Sequence, residues 1–290
     1  MTEEEAGQGR QLENRLVAVA GVLAPTTVIG GLLLYFGYVA TYARFLYFGV
    51  EFEVVDLAPQ DLVLLGVEAL YVPLGLIILV VLAGVLLYLL AWPAYGDRVG
   101  RRARVVVTVA AVAVGVALTI RGIMGVVVPE IAATERPIAL TPLSMAVGVL
   151  LLTAGQRLLL RALGRAPHRA ERAALLLAAG VVVLSLIWAT NSFAHATGRG
   201  QAVTQLERLP QRPEVILDTK EALEIVVPGV REHRLKKGKA FRYRYRGLRL
   251  LAESNGRLFL VPATWAEHHG TLVVPLDSAV RVQFVPPPPP

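Results

Sequence analysis

The chain has 290 residues, of which 55% are hydrophobic and only 18% are charged, and it contains no cysteine. A soluble globular protein has about 45–50% apolar and about 25% charged residues, so this composition indicates a membrane protein. The lack of cysteine excludes disulfides, thiolate metal sites, iron–sulfur clusters and cysteine nucleophiles. The formal net charge of +7 is compatible with an acidic partner.

Five apolar runs predict five membrane-spanning helices, because a helix needs about 20 apolar residues to cross the hydrocarbon of a bilayer. The predicted spans are residues 16–40, 69–92, 105–128, 137–156 and 173–194. Residues 1–15 form a polar tail, and the length of the first apolar run favours an anchor over a cleaved signal peptide. The predicted fold is a membrane all-α bundle of five transmembrane helices, followed by a small β-rich (α+β) domain at 195–285 and a polyproline tail at 286–290.

The basic residues of the short loops predict the orientation of these spans. The loops after the second and fourth spans contain nine arginines, namely Arg98, Arg101, Arg102, Arg104, Arg157, Arg161, Arg165, Arg169 and Arg172. The loops after the first and third spans contain only Arg44 and Arg136, among several acidic residues. Cytoplasmic loops hold the excess of Lys and Arg. We therefore expect a multi-pass protein of the plasma membrane, with residues 1–15 in the cytoplasm and the β-rich domain outside.

Two charged residues, Glu68 and Arg121, lie in or beside the apolar runs. An ionisable residue within a span is by default a functional hypothesis, so a channel or transporter subunit using these two residues is the alternative function. The structural interpretations are that Arg121 snorkels to the interface or that the two residues pair. Since no other span carries a charge, there is no chain of acids for a proton relay, which argues against a pump.

Residues 198–209 are predicted to form a polar connector into the β-rich domain. Short strands are then expected over 214–217, 224–227, 241–245, 248–253, 258–261, 271–276 and 280–285. Asn255-Gly256 predicts the turn of a β-hairpin, because both positions of such a turn require positive φ.

The most distinctive part of this domain is a basic stretch between Arg231 and Arg249, in which only Glu232 is acidic. Alternation over 241–245 predicts a half-buried strand with Phe241, Tyr243 and Tyr245 on one face and arginines on the other. This stretch is interpreted either as a solvated strand face or as a contact surface for anionic lipid headgroups, wall polymers, a protein partner or a second copy of the chain. Nucleic acid is disfavoured by the predicted outer location. The candidate contact residues are Lys236, Lys237, Lys239, Arg242, Arg244 and Arg246.

No catalytic, metal-binding or cofactor-binding motif is recognised in the sequence. His268 and His269 lack the i, i+4 spacing of a zinc-binding helix, and there is no Gly-rich phosphate loop or nucleophile elbow. The polar residues within the spans, such as Thr141 and Asn191, are too scattered to favour an enzyme acting on lipid. The leading expectation is a non-enzymatic component of the cell envelope, acting as a sensor, scaffold or accessory subunit and binding no cofactor.

Two groups of residues resemble a known pattern. The first is Tyr35-Phe36-Gly37 followed by Tyr47-Phe48-Gly49-Val50, and the second is Pro228-Gly229-Val230, Tyr243-Arg244-Tyr245 and Phe259-Leu260-Val261-Pro262 with Trp265. They resemble uncharacterised multi-pass membrane proteins of Actinobacteria, and the 25 Arg against 4 Lys fit a GC-rich genome. The resemblance implies the same architecture, but no activity.

Overall fold

The computed structural model describes residues 26–97, 100–128, 130, 138–162, 169–236, 240–266 and 269–287. These residues form two compact units. The first unit contains the described residues up to Val67 and those from Thr197 onward, and the second is Glu68–Ala196. The first unit therefore combines segments of helix with the C-terminal sheet. Residues 1–15 and the start of the first predicted span lie outside the described residues.

The described chain contains six helices, five of which are long. They are α1 (Thr26–Tyr47), α2 (Phe52–Val55), α3 (Pro59–Asp97), α4 (Arg101–Val127), α5 (Leu140–Ala162) and α6 (Arg169–Glu207). All except α2 are long and apolar enough to cross a membrane, by length and composition. The prediction of five such helices is confirmed.

In the first unit, α1 packs closely against the start of α3 and the end of α6. Gly37 of α1 touches the backbone of Leu62, and Gly66 of α3 touches the backbone of Leu33, so closely that a Cβ at either glycine would overlap a carbonyl oxygen. Gly198 of α6 approaches the Ala40 carbonyl in the same way. Small residues permit this close approach of helix backbones.

In the second unit, α4 and α5 are the helices with the most extensive mutual packing. Gly148 of α5 lies against Thr119 and the Gly115 carbonyl of α4, and Gly122 lies against Met145. This is again the packing of small residues between helices.

The C-terminal domain is a six-stranded antiparallel sheet. Its strands are β1 (Glu214–Thr219), β2 (Arg231–Arg234), β3 (Tyr243–Ser254), β4 (Arg257–Pro262), β5 (Leu272–Pro275) and β6 (Val280–Val285), in the order β5-β4-β3-β1-β6. The long β3 carries β1 on one edge, and β2 and β4 follow one another along the other edge. The N-terminal half of β3 thus lies between β2 and β1, and its C-terminal half pairs with β4.

Two apolar clusters pack against opposite faces of this sheet. The helix-side cluster joins Phe45, Phe48, Val50, Val55, Ala202 and Leu209 to Leu251, Phe259, Val261 and Trp265 of the C-terminal domain. The far-side cluster contains Val215, Leu217, Tyr245, Leu248, Leu258, Leu260 and Val274. Alternate residues of β4 enter different clusters, so both faces of that strand are buried, as the period of 2 requires.

Hydrogen bonds hold the sheet on the helix ends. Gln205 of α6 accepts from the Arg44 guanidinium of α1 at 2.6 and 2.9 Å, and its amide donates to the Leu251 carbonyl at 3.0 Å. Thr271 donates to the Phe48 carbonyl at 2.7 Å. The sheet and these helix ends are therefore packed as one body within the first unit.

Three local predictions need correction. Residues 198–207 continue α6 rather than forming a connector, because Ala202 and Gln205 are buried against the sheet. Residues 224–227 form no strand; Ile225 instead packs on the far-side cluster. The strands predicted at 241–245 and 248–253 are one strand, β3, and β2 was not predicted. The hairpin at Asn255-Gly256 is confirmed, with φ of 47° and 68°.

Candidate functional site: an arginine face on the C-terminal sheet

The candidate site is a basic area on one face of the sheet, where β2, β3, β1 and β6 lie side by side. Four arginines and a histidine form this arginine face, namely Arg231 and His233 of β2, Arg244 and Arg246 of β3, and Arg281 of β6. The registers pair Arg231 with Arg246, His233 with Arg244, and Asp218 with both Arg244 and Arg281. Directly paired residues point to the same face, so these side chains share one side of the sheet.

Asp218 of β1 lies at the centre of the arginine face. Its side chain is fully buried, and it accepts from Arg244 Nε and Nη2 at 2.7 and 3.1 Å and from Arg281 Nε at 3.1 Å. The hydrogen bonds from Arg244, followed by those from Arg281, hold the pKa of the Asp218 carboxyl below its ordinary value despite its burial. Asp218 is therefore a carboxylate at neutral pH.

Glu214, at the start of β1, provides the second acidic group. It accepts from Arg246 Nη2 at 2.9 Å and from the backbone amide of Gly247 at 3.0 Å. The hydrogen bond from Arg246, the largest influence, lowers the pKa of Glu214. This carboxylate is more exposed than that of Asp218, because 21% of the Glu214 side chain is accessible to solvent and none of the Asp218 side chain is.

The charges of the arginine face do not cancel. Four arginines oppose two carboxylates, which leaves two positive charges when His233 is counted as neutral. The arginines also remain accessible: Arg244 is 31% exposed, Arg281 is 48% exposed, and Arg231 is exposed. The face therefore presents guanidinium groups that are fixed in place by carboxylates yet open to an anion.

The six contact residues expected from the sequence have different positions. Arg244 and Arg246 lie on the arginine face, and Lys236 and Arg242 are exposed beside it. Lys237 and Lys239 lie outside the described residues. Arg249, at the end of the basic stretch, turns towards the helix ends and donates to the Leu209 carbonyl at 3.2 Å.

Sequence reasoning missed Arg281, Glu214 and Asp218 as members of this site. Asp218 and Glu214 each lie more than 25 residues from the β3 arginine that they bind, and Arg281 lies 63 residues from Asp218. The basic stretch therefore gives no sign of the acidic residues that oppose its arginines. The alternation in β3 was predicted correctly: Tyr245 is buried, and its hydroxyl accepts from the Leu223 amide and donates to Glu232 on the far side. A signal for Asp218 did exist in the sequence, because a lone acid inside an apolar strand commonly needs a cationic partner.

The two intramembrane candidates lie in the helices. Glu68 is exposed in the first third of α3, and Arg121 is partly exposed in the last third of α4. Their pairing, and a role in a pathway for ions, stay predictions. Among the described residues, no group of three or more His, Asp or Glu side chains is arranged to hold a metal ion.

Comparison with known proteins finds no match: no family model, no curated protein and no solved structure matches the chain. The arginine face is therefore interpreted from its own geometry.

Proposed function

We propose that this chain is a non-enzymatic, multi-pass membrane protein whose C-terminal sheet binds a polyanionic surface through the arginine face. One observation carries the proposal, namely four arginines gathered on one open sheet face against two carboxylates. The five long apolar helices would anchor the sheet at the plasma membrane. In this role the protein acts as a sensor, scaffold or accessory subunit, with the sheet on the outer side.

The chemistry of the face favours phosphate or carboxylate groups as ligands. A guanidinium group offers a planar fork of donors that matches both anions, and its positive charge does not depend on pH in the physiological range. Asp218 binds the guanidinium groups of Arg244 and Arg281, and Glu214 binds that of Arg246, which fixes the orientation of these three arginines. Arg231 makes no such pair among the described residues and is exposed, so it is the arginine most available to a ligand.

The test measures binding of detergent-solubilised full-length protein to inorganic polyphosphate, with Arg231→Glu as the variant. Replacing Arg by Glu changes the local charge by two units, at about 1 kcal/mol each, so we expect roughly 30-fold weaker binding. The affinity of the unmodified protein is expected to fall as salt is raised.

Arg234→Glu is the matched control, because Arg234 lies on the same short strand but pairs with Tyr243 on the far side. Its binding should stay within about twofold of the unmodified protein, a difference well under 1 kcal/mol. Equal loss in both variants would contradict a role for the arginine face and indicate an effect of overall charge.

A further inference from the structure

The arginine face and the helix-side cluster lie on the same face of the sheet. Val215, Leu217, Leu258 and Leu260 point into the far-side cluster. Alternation therefore sends Glu214, Asp218, Phe259 and Val261 to the opposite face. Phe259 and Val261 contact the helix ends, while Glu214 and Asp218 hold the arginines. The part of this face beyond the helix ends is thus basic rather than apolar.

The sheet also begins close to the predicted ends of two spans. Phe45 of α1 lies five residues beyond residue 40, and Ala202 of α6 lies eight residues beyond residue 194. At 1.5 Å per residue these distances are about 8 and about 12 Å. The headgroup layer on each side of a bilayer is about 5–8 Å thick. The first contacts between sheet and helices are therefore expected at the outer edge of the headgroups, for Phe45, and a few Å beyond it, for Ala202.

From these two placements we infer that the arginine face binds the anionic phosphate headgroups of the same membrane that the helices span. The inference rests on the proposed function, because it identifies the polyanionic surface. Each basic residue near an anionic bilayer changes binding about fivefold, and the attraction decays within a Debye length of about 8–10 Å. The inference requires that tethering by the helices keeps the face within that distance of the headgroups, and the experiment measures this proximity.

The experiment uses the lack of cysteine, which allows single labelling sites in the full-length protein. Gln283→Cys places a spin label on the arginine side of β6, since its neighbour Val282 packs on the far-side cluster. Val226→Cys is the matched position, 94% exposed in the segment that covers the far side. Both proteins are placed in nanodiscs that contain a nickel-chelating lipid. The bound Ni²⁺ ion increases the relaxation rate of spin labels that lie near the headgroups.

We expect stronger relaxation of the label at 283 than of the label at 226. In nanodiscs of equal parts phosphatidylglycerol and phosphatidylcholine, relaxation at 283 should exceed that in phosphatidylcholine alone. Arg231→Glu changes the local charge by two units, so it should weaken binding of the face to the anionic bilayer by roughly 30-fold and reduce relaxation at 283. Adding Arg234→Glu should not reduce relaxation at 283.

The results separate this inference from the proposed function. Two outcomes would overturn the membrane inference. One is relaxation at 283 that is equal to or weaker than relaxation at 226. The other is relaxation at 283 that changes neither with anionic lipid nor with Arg231→Glu. If Arg231→Glu then still weakens polyphosphate binding in detergent, the proposed function stands, and its ligand is a polyanion away from the bilayer. If Arg231→Glu changes neither measurement, both proposals fail.

Discussion

Asp218 determines how the arginine face is held together. A buried carboxylate is costly unless it is paired and hydrogen-bonded, and here it has partners on both neighbouring strands, Arg244 and Arg281. Since the arginines are partly exposed, water screens part of the attraction. The pairing therefore orients the arginines as much as it stabilises the sheet.

Asp218→Asn should destabilise the sheet and weaken its dependence on pH. We expect a loss of about 1.5–3 kcal/mol at neutral pH, because the amide has no negative charge and only one oxygen that can accept from the two arginines. Because the pKa of Asp218 is lowered in the folded protein, its stabilisation is present above the ordinary Asp value near 3.8 and is lost as pH falls through the folded value. Denaturant unfolding of the purified protein between pH 3 and pH 7 measures both effects.

Glu253→Gln is the control for this experiment, because Glu253 is exposed on β3 and its side chain has no hydrogen bond or ion pair among the described residues. It should retain the acid sensitivity of the unmodified protein. Some sensitivity should also survive in Asp218→Asn, because the pKa of Glu214 is lowered as well. A variant at Asp218 with an unchanged acid profile would contradict the assigned ion pairs.

At the scale of single residues, the sequence predicted the sheet face to which side chains point better than it predicted the net charge of that face. The alternation of Tyr243, Arg244 and Tyr245 correctly placed rings and guanidinium groups on opposite faces. The same prediction was wrong for Phe241, which precedes β3 and whose ring lies against the Arg281 guanidinium. The acids that oppose those arginines come from β1, and the added arginine comes from β6. Strand pairing between distant segments has no local signal, so neither could be read from the basic stretch alone.

At the scale of elements, glycine decides how closely α1 and α3 approach. Gly37 and Gly66 face each other's helices at positions where a Cβ would overlap a backbone carbonyl. A backbone carbonyl cannot rotate out of the way as a flexible side chain can. The close approach of α1 and α3 therefore depends on glycine, which has no side chain, at positions 37 and 66.

Gly66→Ala should destabilise the first unit by about 1–3 kcal/mol, the usual cost of overpacking a well-packed contact. Gly75→Ala in the same helix is the control, because no described atom other than its own helix lies within 4 Å of a Cβ there. Recovery of folded protein by size-exclusion chromatography after heating in detergent compares the two. Equal thermal stability of both variants would contradict the close helix contact.

Helices and strands were predictable where a local sequence pattern determines them. Long apolar runs predicted five helices, and Asn255-Gly256 predicted the hairpin between β3 and β4. The end of α6 was not predicted, because residues 198–207 are polar by composition. They are helical because Ala202, Gln205 and Leu206 pack against the sheet. Tertiary contacts that stabilise a segment of weak local preference cannot be seen from that segment alone.

At the scale of the whole molecule, the proposals depend on which side of the membrane the sheet occupies. The prediction that it is outside comes from nine arginines in two loops against two in the others, by the positive-inside rule. The arginine face adds a second constraint, because the cytoplasmic leaflet is the one with the stronger negative surface potential in many membranes. The two arguments favour different sides unless the outer leaflet also contains anionic lipid.

Single cysteines distinguish these orientations in intact cells. Gly100→Cys lies beside the arginine-rich loop between α3 and α4, and Gln283→Cys lies on the sheet. A thiol reagent that cannot cross the membrane should label the cysteine at 283 in intact cells and the one at 100 only after permeabilisation. The opposite pattern would overturn the outer location and the proposed envelope role. It would leave the headgroup inference intact, because the arginine face would then lie beside the cytoplasmic leaflet and its anionic lipids.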